Sequence, residues 1–229
     1  MLAIIPARKG SKGLPGKNTK LLNGIPLILH TIKSAKKSTN IKRIIVSSDD
    51  EKVLSICKNI KNIDIPFKRP KYLSGDNSML IDTLFHLLKW MKKNEGFEPE
   101  NICVLQPTSP LRLSKDIDNA INFYFEVKAD VVLSVYETRP LFFKLSKNNN
   151  LIPFIKNTSK LLLSRQKVQN SFVQNGAIHI FNTKKLKKNK TYYTAKTFGY
   201  QMPAKRSVDI DNELDFFIAE QILNNKLHL

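Results

Sequence analysis

A chain of 229 residues with 41% hydrophobic and 25% charged side chains is long enough to bury a full core and too apolar for wholesale disorder. Its formal net charge of +19 is spread as lysines through nearly every segment, densest from Lys184 to Lys190, with no RNA-binding aromatic motif or helix-turn-helix pattern beside them. That distribution points to a lysine-rich background or an anionic small substrate and away from nucleic acid, and no apolar run reaches the length of a bilayer span.

In chain order, residues 2–5 form the first short apolar run, predicted as a strand, and a glycine- and lysine-rich loop follows it at 6–18. Apolar residues at three- and four-residue spacing then predict a helix over 26–38, with Pro26 suited to its first turn. A strand at 43–47, a helix at 50–61 and a helix at 79–94 continue the pattern. After a strand at 101–105 and the loop 106–112 comes a helix over 114–127, for which Ser114 offers a capping hydroxyl. A fourth strand is expected at 131–135.

Strands apolar along their whole length and alternating with helices predict an α/β fold, a doubly wound and mostly parallel sheet with its ligands outside the carboxyl ends of the strands. From 141 to 190 this rhythm fails, which predicts an inserted β-rich lobe or dimerisation arm on a single domain spanning 1–229. A last helix is expected over 212–224, with Leu214, Phe217, Ile218 and Ile222 as its inward stripe. Cys57 and Cys103 lie in apolar patterns with no partner at ligand spacing, so reduced, buried thiols are expected. The first residues lack the order of a secretory signal, and a cytoplasmic protein is the expectation.

Three segments carry chemistry. In Pro6-Ala-Arg-Lys-Gly-Ser-Lys-Gly-Leu-Pro-Gly-Lys-Asn18 three glycines let backbone N–H groups approach an anion, and four cations offset a triphosphate. This is not a Walker A loop, because Ser11 and Asn18 stand where Gly and Ser/Thr are required, and a solvated glycine-rich turn is the alternative. Gln106-Pro-Thr-Ser-Pro-Leu-Arg112 is stiffened by two prolines, which suits ligand placement and equally suits a rigid turn into the next helix. In Ser207-Val-Asp-Ile-Asp211 two carboxylates two residues apart share a face if the chain is extended and can hold Mg²⁺ beside substrate phosphates; alternatively Asp211 caps the last helix.

These blocks, together with Asn175-Gly-Ala-Ile178, resemble the acylneuraminate cytidylyltransferase family, the CMP-sialic acid synthetases, in order and spacing along essentially the whole chain. The resemblance implies a nucleotide-diphospho-sugar transferase fold and a reaction joining CMP from CTP to a nine-carbon 2-keto sugar acid with release of pyrophosphate. It implies CTP contacts at Arg8, Ser11, Lys17 and Asn18, more loosely at Arg69 and Ser78, with Lys17 at the α-phosphate. It places Gln106 near the reaction centre, and Ser109, Arg165 and Asn175 with the sugar acid, Arg165 pairing with its carboxylate. Asp209 and Asp211 become Mg²⁺ ligands, so that Lys17, Gln106 and Asp211 form the implied catalytic set. His179 stands where sialic acid enzymes often carry Tyr, and Tyr192-Tyr193 lie near an aromatic pair of some relatives, so these three are further sugar-side candidates; on its own a histidine there reads as packed strand. The implied assembly is a homodimer. An enzyme for another 2-keto sugar acid such as Kdo, or a basic nucleic-acid-binding module, are the rival expectations.

Overall fold

The computed structural model describes residues 1–138, 142–154 and 170–225. Its first strand, β1 (Leu2–Ala7), alternates Leu2 and Ile4 to one face with Ala3 and Ile5 to the other, and all four are buried. A strand apolar on both faces must be covered on both. The small ladder of β2 (Leu21–Leu22) and β3 (Ile25–Pro26) leads into α1 (Leu27–Lys37). Then come β4 (Arg43–Ser48), α2 (Glu51–Lys58), α3 (Leu80–Glu95), β5 (Asn101–Val104), α4 (Ser114–Glu126) and β6 (Val131–Thr138). The hairpin β7 (Phe143–Leu145) and β8 (Leu151–Pro153) precedes β9 (Ser171–Asn182), α5 (Thr183–Asn189), β10 (Thr197–Gln201) and α6 (Glu213–Asn224).

The main sheet has the order β10-β6-β9-β5-β1-β4. β1 pairs in parallel with β4 and β5, as β10 does with β6, whereas β9 runs antiparallel between β5 and β6. On one face Ala3, Ile5, Val46, Cys103 and Ile180 pack with α1, α2 and α4 through Ile28, Val53 and Ile117. On the other, Ile4, Ile45, Val104 and Phe181 pack with Leu84, Leu87, Leu88 and Met91 of α3. This is the expected doubly wound, mostly parallel sheet. Both cysteines are buried and unbridged, and burial lifts the Cys57 thiol to about 11 and the Cys103 thiol to about 12. Among the described residues no helix is long and apolar enough to cross a membrane.

Four expectations need correction. Residues 141–190 are not one inserted lobe, because β9 is an inner strand of the main sheet and α5 packs against it; what stands apart, among the described residues, is the β7–β8 hairpin. The last helix turns a different stripe inward: Phe216 and Ala219 are buried and the expected Ile222 packs beside them, while Leu214, Phe217 and Ile218 are 65%, 56% and 39% exposed. That helix is apolar around most of its girth, so periodicity alone offered two stripes, and the cation of Lys20 over the Phe216 ring at 4.8 Å marks the chosen one. Ser114 is not the cap of α4, which instead starts with Asp116 Oδ2 accepting the Leu113 N–H at 2.9 Å. Asp211 does not cap α6 either: Asn212 Oδ1 accepts from Asp215 N–H, and Asp215 accepts from the N–H groups of Asp211 and Asn212.

Candidate active site

The loop after β1 folds back on the segment before α6. Gly13 lies so close to Asp211 that a Cβ there would sit 2.2 Å from the Asp211 carbonyl oxygen, which no side chain could tolerate. Gly16, at φ 67°, then turns the chain into a short 3₁₀ helix, Lys17–Thr19. Leu14, Leu22, Leu111, Ile210 and Phe216 form a small apolar cluster beneath this contact and clamp loop and segment together. Lys17 is thereby buried, its ammonium donating to the Ile210 carbonyl and lying 3.3 Å from Asp211 Oδ1. Asn18 donates from Nδ2 to the Arg8 carbonyl at 3.0 Å and closes the loop on itself.

A second wall comes from residues 69–83. The guanidinium of Arg69 is buried under the end of β4, where Nε donates to Ser47 Oγ at 3.1 Å and Nη2 to the Ser47 carbonyl. Burial, with the neighbouring Arg8 adding to it, pulls Arg69 down to about 10, against the opposing pull of Asp49; it remains a cation at neutral pH. Arg8 donates to the Gly75 carbonyl at 3.0 Å, Lys12 pairs with Asp76 at 2.8 Å, and Ser78 Oγ donates to the Tyr72 carbonyl at 2.9 Å.

The floor is the loop after β5. Thr108 accepts the Ile210 N–H through its carbonyl at 2.8 Å, which sets the 207–211 segment beside Gln106. In β9, Gly176 adopts φ +68°, and a Cβ there would fall 3.2 Å from Asp209 Oδ2 and 3.6 Å from Gln106 Nε2. Asp209, Gln106 and the Gly176 turn are thus neighbours. Asp209 Oδ1 is buried with no hydrogen-bond partner, and burial above all, with Asp211 nearby, pushes its carboxyl above the usual range, with Thr108 and Lys17 pulling the other way.

Of the residues selected from sequence, Arg8, Ser11, Lys17, Asn18, Arg69, Ser78, Gln106 and Asp211 line one cavity of about 530 Å³. Others are not brought there. Ser109 is buried and donates to the Asn175 carbonyl at 3.1 Å. Asn175 has its side chain fully engaged: Oδ1 accepts from Ser134 Oγ at 2.6 Å and Ala177 N–H at 3.1 Å, while Nδ2 donates to Ser207 Oγ at 2.8 Å. Both side chains are spent inside the protein: Ser109 ties the β9 turn to the loop after β5, and Asn175 ties it to Ser207 of the metal-binding segment proposed from sequence.

His179 is also buried, inside the sheet, with Nε2 2.8 Å from the Gln174 amide nitrogen and Nδ1 unpartnered. Burial chiefly, and then Arg112, lower it to about 4, so it is a neutral packed strand histidine. Tyr192 is half-buried, its ring 5.1 Å from Phe181 and 6.2 Å from His179, whereas Tyr193 is exposed. Arg165 lies outside the described residues.

One polar cavity residue, Thr83, escaped the sequence reading of the site, while Thr108 was read as a hydrogen-bonding group of its loop without a role. Thr83 is a polar interruption on the buried Ile81, Leu84, Leu87 and Leu88 stripe of α3, and that interruption was the available signal. Thr108 was visible as a loop hydroxyl, but its contact with the 207–211 segment depends on a pairing 102 positions away.

The arrangement is an anion-binding loop facing a carboxylate-bearing segment across a polar floor, at the carboxyl end of a parallel sheet. The chain belongs to the cytidylyltransferase family, whose model matches residues 2–221. It is 36% identical over 220 residues to the N-acylneuraminate cytidylyltransferase of Streptococcus agalactiae, covering 94% of this chain and 51% of that protein, so it spans about half the length of that relative. It is 31% identical over 227 residues to the CMP-N,N'-diacetyllegionaminic acid synthase of Legionella pneumophila, covering 97% of this chain and 96% of that one. Among solved structures, CMP:2-keto-3-deoxy-manno-octonic acid synthetase complexed with CTP aligns over 99% of both chains with a TM-score of 0.69 at 16% identity, a likeness of fold.

Proposed function

We propose that this protein joins CMP, taken from CTP, to the anomeric 2-hydroxyl of a nine-carbon 2-keto sugar acid of the sialic or legionaminic kind, releasing pyrophosphate. The observation that carries the proposal is the convergence of Arg8, Ser11, Lys17 and Asn18 from one loop with Gln106 and Asp211 from two others on a single cavity. The loop cations hold the triphosphate, and Lys17, fixed by the Ile210 carbonyl, offers its ammonium to the α-phosphate. The sugar hydroxyl attacks the α-phosphorus in line: its oxygen forms the new O–P bond and its O–H bond breaks, the proton passing to water, while the bond to the bridging oxygen breaks and pyrophosphate leaves with that electron pair. Gln106 orients the sugar at that point, and Arg165 is the candidate partner of its carboxylate. Positioning and charge stabilisation supply most of the rate, since no covalent step falls to the protein.

Mg²⁺ fits the residues present. Asp209 Oδ1 is an orphaned buried oxygen on a carboxyl that burial has pushed upward, a strain that a cation relieves. No group of three or more His, Cys, Asp or Glu exists among the described residues, so such an ion would be held by Asp209 and Asp211 and would complete its shell from substrate phosphates. When bound it supplies neutralisation of the charge developing on pyrophosphate.

The proposed homodimer would form through the β7–β8 hairpin. Phe142, Leu145, Leu151, Ile152 and Phe154 are exposed there, and an isolated two-stranded hairpin with apolar side chains is not stable alone. Reduced thiols suit the proposed cytoplasmic setting.

The test is pyrophosphate release with CTP and Mg²⁺ against N-acetylneuraminate, legionaminate, pseudaminate and Kdo. Release with a nonulosonate supports the proposal and names the sugar. Release with Kdo alone replaces the sugar class, and silence with all four alongside salt-sensitive RNA binding overturns the reading.

A further inference from the structure

Arg112 is 2% exposed, yet its guanidinium hydrogen-bonds to no carboxylate. Nη1 donates to the carbonyls of Ala177 at 2.6 Å and Gln106 at 3.2 Å, and Nη2 donates to Thr31 Oγ1 at 2.8 Å. Thr31, itself buried in α1, passes a further hydrogen bond to the Gln106 carbonyl at 3.4 Å. Asp116, whose field reaches Arg112, is already held by Arg206 through two hydrogen bonds of 2.9 and 2.6 Å. Arg112 is therefore a buried cation left over after the available carboxylate has been matched. Burial lowers it to about 10, which leaves it charged at neutral pH.

Such a charge is costly to keep in a core, and an apolar side chain would fill the same volume at lower cost. What the charge obtains is geometric. The two carbonyls it grips belong to Gln106 itself and to the residue after Gly176, and Asp209 Oδ2 and Gln106 Nε2 lie 3.2 and 3.6 Å from where a Cβ on Gly176 would stand. One nitrogen, Nη1, bridges both carbonyls, and Nη2, held by Thr31 Oγ1, fixes the plane of the guanidinium and with it the place of that bridge; an ammonium on a flexible stem has no such plane.

Resting on the nucleotidyl-transfer reading above, we infer that Arg112, with Thr31 as its brace, is a positioning residue that sets Gln106 against the Gly176 turn and Asp209 without touching substrate. Thr31→Val keeps the side-chain shape and removes only the hydroxyl, so it tests the brace with little risk to folding. Its expected effect, read well below the melting temperature that the unpaired Arg112 donor lowers, is a fall in kcat of about tenfold with the KM for CTP unchanged; Thr31→Ser restores the rate. Arg112→Lys keeps the charge but loses the fork, and it is expected to cost about a hundredfold in kcat, the scale of a displacement of about 1 Å at a reacting group. The inference falls if Thr31→Val retains the wild-type kcat, if Thr31→Ser is as slow as Thr31→Val, or if every loss of rate tracks the loss of folded protein. A wild-type chain that turns over none of the sugar acids overturns the reaction and the inference together, whereas active wild type with insensitive variants sinks the inference alone.

Discussion

The two sides of the cavity floor use similar residues in opposite ways. On the open side, Arg8, Ser11, Lys17 and Asp211 face the cavity, and Asp211 leaves 78% of its side chain in solvent. On the closed side, Ser109, Asn175, Ser134 and Arg112 are buried and direct their hydrogen bonds to one another, to backbone or to the neighbouring hydroxyls of Thr31 and Ser207. Polar residues of one short motif thus divide between substrate and scaffold, and what divides them is where their hydrogen bonds are spent. Substitutions on the open side should cost rate and spare stability; on the closed side Ser109, Asn175 and Ser134 should show the reverse, and Arg112 is set apart because it acts on rate through the Gln106 carbonyl.

The largest break in that contrast comes from Asp211→Asn. It should lower kcat by about 10²–10³-fold, the range for loss of one preorganised charge contact, while the melting curve stays in place because the side chain is exposed. Calorimetry with Mg²⁺ and CTP should also show weakened metal-dependent binding, and normal turnover would remove Asp211 from the site. Gly176→Ala sits at the seam between the sides. Its φ of +68° costs an L-residue about 1–2 kcal/mol, and the added methyl presses on Asp209, so both melting temperature and kcat should fall, the latter by about tenfold.

Asn175→Ala sharpens the closed side. Four partners, Ser134, Ala177, Ser207 and the Met202 sulfur, lose their hydrogen bonds, so stability should fall by about 1–3 kcal/mol in denaturant titration, with the sugar KM within about twofold of wild type. A large rise in sugar KM at unchanged stability would return Asn175 to the substrate. The smallest effect at neutral pH belongs to His179→Phe, which should leave the activity profile between pH 6 and 8 unaltered. The histidine holds a lowered pKa of about 4 when folded, so the unfolded chain takes up the proton first and stability is lost as pH falls from about 6.5 toward 4. That slope, at most about 1.4 kcal/mol per pH unit, should flatten in the variant.

Much of this was legible from the chain alone. β1, β4 and β5 were visible because strands covered on both faces need unbroken apolar runs, and the cavity-lining cations were visible because a glycine-rich loop after the first strand has few other uses. β9 was misread as part of an insertion because the direction of a strand is not written in its own residues; it depends on which neighbours remain unpaired. α6 was misread because two apolar stripes, one led by Leu214 and one by Phe216, satisfy the same period. Asn175 and Ser109 were assigned to the sugar because a polar side chain in a motif gives no local sign of whether it is already satisfied, and that depends on Ser134 and Ser207, each more than 30 positions away.

The reversed direction of β9 also decides where the hairpin can emerge. Since β6 ends and β9 begins at the same edge of the sheet, the excursion between them has to leave from the rim that bears the cavity. Its two attachment points, Thr138 and Ser171, pair directly with one another, and the strand that leads inward from there reaches the Gly176 turn within five residues.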